Sequence, residues 1–182
     1  MPPDRTLAVR PVTRSDAEAI AALYRPYVEQ TSGNFEYEPP DAAEVAGRIA
    51  SHPGHPWLVA LAAPADPADD TLAGFAYVQP LRSRAAYQWT VETSVYAAAP
   101  GRGVGGLLMR ALFDACVVGG WRQAFAGSAL PNEASVALHE RLGFVRVGTF
   151  SRGRVQTPML GRRRLVAPRA RRHRSLGTTA AG

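Results

Sequence analysis

Three groups of residues in this 182-residue chain are of types and spacings that could do chemistry. The first is Glu92, in the run WTVETSVY (89–96). Its β-branched and aromatic residues predict a strand. Side chains alternate along a strand, so Glu92 shares a face with Thr90, Ser94 and Tyr96. The second is the turn that follows, with Gly101, Gly103, Gly105 and Gly106. Leu107, Leu108, Ala111, Leu112 and Ala115 then form an apolar helical stripe. A glycine turn feeding a helix leaves backbone N–H groups free beside the positive end of the helix dipole, which suits a phosphate. An anion site this near makes Glu92 a candidate general base, although a strand glutamate is more often simply solvated. The third group is Asn132, Ser135 and His139, whose spacings of three and four put them on one helical face. Asn132 also suits a plain helix cap. Arg82 and Arg84, shortly before the strand, are either surface arginines or a bidentate clamp for an anionic group.

Other chemistries lack their parts. Gly101, Gly103 and Gly106 match G-x-G-x-x-G, but WRQAFAGSA (121–129) lacks the acid that a dinucleotide site needs. A Walker loop needs Lys, and every basic residue here is Arg. Cys116, the only cysteine, can form no internal disulfide and has no paired base, so it reads as core. The four histidines (52, 55, 139 and 173) show no ligand pattern with it, and no metal is expected. No run approaches 18 apolar residues, and MPPDRTLAVRP has no signal-like apolar core. The expectation is a cytoplasmic protein without a membrane span.

The charge is divided. Residues 1–150 hold 12 Arg and all 15 acids, a net of −3, whereas 151–182 hold 9 Arg and no acid, a net of +9. One domain over 1–150 and an Arg-rich tail over 151–182 follow. Leu7–Val12 reads as a strand, and Ile20, Leu23, Tyr24, Tyr27 and Val28 recur at helical spacing. Residues 31–40 form a loop, and Asp41 caps a helix to about Ser51. Trp57–Ala63 and Leu72–Val78 read as a hairpin joined at 64–70. The helix after the glycine turn ends near Gly119 and Gly120. A strand at Gln123–Ala129, a helix from Asn132 through Leu142 and a strand at Phe144–Phe150 complete the order β-α-α-β-β-β-α-β-α-β. Such an order is α/β layering on a mixed sheet.

Taken together, the chain resembles the GCN5-related N-acetyltransferase (GNAT) superfamily, and within it the phosphinothricin and methionine-sulfoximine acetyltransferases. The matching segments are VRPVTRSDAEAI (9–20), NFEYEP (34–39), PWLVA (56–60), GFAYVQPLRSRAAYQWTVETSVY (74–96), GRGVGGLL (101–108) and LPNEASVALHERLGF (130–144). The resemblance implies the GNAT fold, a mixed and mostly antiparallel central sheet flanked by helices, in a homodimer. It also implies direct acetyl transfer from acetyl-CoA to the amine of a small amino-acid analogue. Gly101, Arg102, Gly103, Val104, Gly105 and Gly106 would cradle the CoA pyrophosphate. The backbone of Val95, Tyr96 and Ala97 would bond the pantetheine arm like an added strand, and Asn132 and Ser135 would touch the CoA end. Glu92 matches the general base, and His139 the residue that protonates the leaving thiolate. Phe35, Arg84 and Tyr87 match positions shaping the substrate pocket, with Arg82 a further candidate contact.

Two features depart from that pattern. Pro100 stands where the superfamily turn usually carries Gln or Arg, and removes one N–H from the phosphate cradle. After Phe150 the family's aromatic-rich strand, near G-x-W-x-D-V-x-x-W, is replaced by SRGRVQTPMLGRRRLVAPRARRHRSLGTTAAG, with no Trp and no acid. A C-terminal strand that is atypical or missing is therefore expected. The tail is either out of the ancestral reading frame, and so disordered or altered, or a basic arm for nucleic acid. The expected activity is acetylation of a phosphinothricin- or methionine-sulfoximine-type amine. The alternatives are acetylation of peptide N-termini or polyamines, the latter disfavoured by Arg82 and Arg84, and a non-catalytic module binding nucleic acid through the tail.

Overall fold

The computed structural model describes residues 7–31, 36–62, 71–152 and 155–164, with side chains described up to residue 149. The chain order is β1 (Leu7–Pro11), α1 (Ala17–Gln30), α2 (Ala42–Ser51), β2 (Trp57–Ala62), β3 (Thr71–Pro80), β4 (Thr90–Ala97), α3 (Val104–Val118), β5 (Gln123–Gly127), α4 (Glu133–Arg141), β6 (Val145–Arg152) and β7 (Val155–Arg164). Seven strands form one sheet in the order β1-β2-β3-β4-β5-β7-β6. Only β4 and β5 pair in parallel; the other neighbours are antiparallel.

The central strands are apolar on both faces because both are covered. Along β2, Trp57 and Val59 pack under α1 and α2 with Ile20, Tyr24, Val45 and Phe75. Leu58 and Ala60 pack on the opposite face with Val91 and with Leu108, Met109 and Leu112 of α3. This two-sided burial explains why WLVALA reads as an unbroken apolar run rather than an alternation. Cys116 is wholly buried in the α3 layer, and burial pushes its thiol up to about 12. It is therefore an un-ionised core side chain.

Helix starts follow their capping residues. Asp41 accepts from Glu44 N–H at 2.8 Å, and Asn132 accepts from Ser135 N–H at 3.1 Å. Ahead of α1, the Asp16 carboxylate takes two bonds of 2.8 Å from Arg10 on β1 and one of 2.6 Å from Thr13 N–H. This cluster ties the first strand to the helix that carries Tyr24 and Tyr27. The Arg10 guanidinium and the Thr13 donors hold Asp16 at about 2, against the opposing effect of burial.

The C-terminal strand, expected to be atypical or missing, is present with an atypical sequence. β7 lies between β5 and β6, pairing Gly127 with Met159 on one side and Gly148 with Met159 on the other. Flanking strands on both sides supply ladder bonds that do not depend on aromatic side chains. The tail expected from residue 151 is thus part of the sheet through Arg164, and residues 165–182 lie outside the described residues. Trp89, expected inside the strand, lies just before β4 and is 45% exposed.

Candidate active site

β4 and β5 run together for three residue pairs only, Thr90–Gln123, Val91–Ala124 and Glu92–Phe125. A last link follows, the Thr93 hydroxyl donating to the Phe125 carbonyl at 3.1 Å. β5 then continues along β7, and β4 is left without a neighbour on that side. Ala98 N–H still donates to Ala73 O on the β3 side at 2.9 Å. By the alternation of an antiparallel ladder, Val95 and Ala97 turn their amides and carbonyls toward the opened side.

The cleft that results has a volume of about 810 Å³, in the range of small-molecule sites. It gathers most of the expected cofactor residues. Val95, Tyr96 and Ala97 come from β4, and Gly101, Gly103, Gly105 and Gly106 from the turn; Asn132, Ser135 and His139 come from α4, and Pro100 is also in the wall. Gly101 and Gly103 have φ of +84° and +79°, which only glycine adopts without strain. Gly103 is the N-cap of α3, and no side chain caps that helix. Its first-turn amides therefore sit at the positive dipole end without a capping acceptor. Arg102 and Val104 do not line the cleft: Arg102 is exposed, while helical periodicity turns Val104 into the core.

Ala97 carries a feature that local sequence patterns did not reveal. The Tyr27 hydroxyl donates to Ala97 O at 2.7 Å and accepts from Ala97 N–H at 3.3 Å. Its ring meets Tyr96 edge-on, with centroids 5.0 Å apart. Both polar backbone groups of Ala97 are thus engaged, whereas no side chain bonds those of Val95 among the described residues.

Glu92 is half-buried at the last paired level of β4, on the face that α1 and α2 cover. Its neighbours on that face form a cross-strand row. Gln79 Nε2 donates to Glu92 Oε2 at 3.2 Å. Tyr77 and Ser94 are directly opposed in the β3–β4 register, and Phe75 stacks on Tyr96 at 5.0 Å. Beyond the row, Tyr24 OH and the two arms of Arg48 converge on the Glu36 carboxylate at 2.8–2.9 Å. Arg48 first, then Tyr24, holds Glu36 below the ordinary carboxylate range. Nothing local marks this network, because residues 24, 36 and 48 belong to three separate segments. Arg82, Arg84 and Tyr87 lie exposed in the connection from β3 to β4. Neither arginine forms an ion pair among the described residues. Phe35 lies outside the described residues.

His139 is 3% exposed. Its Nδ1 lies 2.8 Å from the Ser135 carbonyl oxygen, which can only accept. Nδ1 therefore carries the hydrogen, and in the neutral ring Nε2 holds a lone pair. Burial pushes the imidazole below its ordinary value, against the pull of the Ser135 carbonyl. Its Nε2 and the Ser128 hydroxyl are buried without a hydrogen-bond partner among the described residues, and both residues belong to the cleft wall.

Residues 6–145 match the family model of the acetyltransferase (GNAT) domain. The chain is 40% identical over 153 residues to a phosphinothricin N-acetyltransferase of Streptomyces coelicolor, covering 82% of this chain and 88% of the relative. It is 31% identical over 141 residues to an L-methionine sulfoximine/L-methionine sulfone acetyltransferase of Pseudomonas aeruginosa, covering 75% and 79%. A crystal structure of a GNAT superfamily phosphinothricin acetyltransferase from Sinorhizobium meliloti in complex with AcCoA superposes with a TM-score of 0.77 at 33% identity, covering 86% of this chain and 88% of that one. With its parted β4 and β5, its glycine turn and these relatives, the chain belongs to the GNAT acetyltransferase family.

Proposed function

We propose that the chain acetylates the primary amine of a small amino-acid analogue of the phosphinothricin or methionine-sulfoximine type, with Glu92 as general base. The named relatives support the substrate class. The placement of Glu92 at the last paired level before the cleft opens carries the reading of its role.

Acetyl-CoA supplies the acetyl group as a thioester. The cleft fits such a molecule: open α3 amides for a pyrophosphate, a free β4 edge at Val95 for an amide-bearing arm, and two orphaned polar atoms in the wall. Asn132 and Ser135 take the CoA end. An amine attacks only when unprotonated, and Glu92 removes its proton, directly or through one water. The Val95 N–H is a donor for the oxygen on which charge builds. A C–N bond forms and a C–S bond breaks, with no enzyme nucleophile, so the un-ionised Cys116 is no obstacle. His139 stands at the thiol end. The departing thiolate takes its proton from water or from a His139 imidazolium, a form that burial opposes. In this reading Arg84, Tyr87 and Phe35 shape the substrate pocket, and Arg82 and Arg84 hold the substrate's anionic group. The same reading makes the protein a cytoplasmic homodimer, which sedimentation checks.

Thiol release from acetyl-CoA over a panel of phosphinothricin, methionine sulfoximine, peptide N-termini and polyamines tests the proposal. Turnover of the first two is expected; turnover confined to peptides or polyamines overturns it.

A further inference from the structure

We propose that Gln79 is a positioning residue for Glu92, its side-chain amide fixing one carboxylate oxygen so that the other faces the substrate. The proposal rests on the reading of Glu92 as the base.

Gln79 and Glu92 are directly opposed in the β3–β4 register, so their side chains leave the sheet on the same face within reach of each other. The contact is 3.2 Å, from Gln79 Nε2 to Glu92 Oε2. A carboxylate only accepts, which fixes the amide's orientation, with its NH₂ toward Glu92. Among the described residues this is the one hydrogen bond that Glu92 makes, and Glu92 enters no ion pair. Its Oε1 has no protein partner there.

The chemical type at position 79 matters as much as the contact. An arginine would pair with the carboxylate and make it a poor proton acceptor; a second carboxylate would favour its neutral form. A neutral amide orients the oxygen while leaving no full charge beside it. The other ionisable groups around this face do not supply that function. Tyr77 on β3 and Tyr96 on β4 are both raised by burial, and so uncharged. Glu36 and Arg48 are paired with each other. Arg82 and Arg84 in the β3–β4 connection make no bond to Glu92.

The experiment compares wild type with Gln79→Met, which keeps the length and loses the donor, and with Gln79→Glu. The first readout is the ¹³C carboxyl titration of Glu92 in the ligand-free protein, assigned by its loss in Glu92→Gln. The second is the pH profile of kcat/KM. In Q79M the Glu92 midpoint moves to higher pH, the acid limb of kcat/KM moves with it, and the KM for acetyl-CoA stays unchanged. In Q79E the midpoint moves further in the same direction. An unmoved midpoint in Q79M overturns the proposal. If the midpoint moves while the acid limb stays put, and Glu92→Gln retains that limb, Gln79 still positions Glu92 but Glu92 is not the base.

Discussion

The Tyr27 hydroxyl occupies the backbone groups that an incoming pantetheine arm would use at Ala97, and this makes a prediction whose sign is unexpected. Tyr27→Phe removes a side-chain oxygen in the cleft wall, and the expected result is tighter acetyl-CoA binding. The donated bond to Ala97 O, at 2.7 Å, has ordinary hydroxyl geometry. The accepted bond from Ala97 N–H, at 3.3 Å, is longer than usual and contributes little. One full bond must therefore be displaced by any strand-like ligand reaching Ala97, a net cost of about 1 kcal/mol. Its removal lowers the Kd about fivefold. The ring remains, so the edge contact with Tyr96 and the packing of α1 are kept. Isothermal titration of acetyl-CoA into the ligand-free wild type and Y27F measures the difference, with melting temperatures as a control. Weaker binding in Y27F would refute the reasoning, because Tyr27 would then be a cofactor contact. Equal affinity would also refute it, by showing that the arm never reaches Ala97.

Four further expectations follow from the geometry. Glu92→Gln lowers kcat by about 10²- to 10⁴-fold near neutral pH; an unchanged pH profile removes Glu92 from the base role. His139→Phe costs less than about tenfold, because burial keeps the ring neutral against the pull of the Ser135 carbonyl; a loss matching that of Glu92→Gln makes it the proton donor to the leaving thiolate. Asp16→Asn destabilises the fold at pH 7 by about 2 kcal/mol, from a value lowered from 3.8 to about 2, trimmed because Arg10 is 37% exposed. The folded value lies below the unfolded one, so this stability is present above about pH 4 and lost as pH falls toward 2. Wild-type and D16N melting temperatures should converge over that window, and a constant gap would count against the ion pair. Finally, a reading-frame origin of the C-terminal segment expects a Trp-Asp motif in another frame of the same codons, and re-sequencing the gene without finding one ends that idea.

What the sequence made legible was local. The strand around Glu92 follows from period-2 alternation, and the turn from glycines that have to adopt positive φ. The caps at Asp41 and Asn132 follow from short polar side chains at helix starts. What stayed hidden depends on pairing across the chain. VQTPMLGRRR carries neither a clear alternation nor aromatic residues, yet it forms β7 because β5 and β6 both offer it ladder partners. The helical spacing of Tyr24 and Tyr27 gives no sign of their hydroxyl contacts, whose partners lie 12 and 70 residues away. Gln79 carried no signal until the β3–β4 register set it opposite Glu92. Arg102 and Val104 stand between the glycines in sequence, and the turn into α3 sends one side chain to solvent and the other to the core.

The parting of β4 from β5 has a thermodynamic consequence. Beyond Thr93 the β4 edge has no neighbouring strand, the backbone groups of Val95 are left without a ladder partner on that side, and under the proposed function a ligand with peptide-like amides fills that place. Binding of that kind is selective for the native state, because an unfolded chain has no such edge. Saturation then adds directly to folding stability, by about 2.7 kcal/mol at a hundredfold excess over Kd. The melting temperature becomes a function of acetyl-CoA concentration. The protein is thereby coupled to the supply of activated acetyl groups through its lifetime as a folded molecule as well as through its turnover.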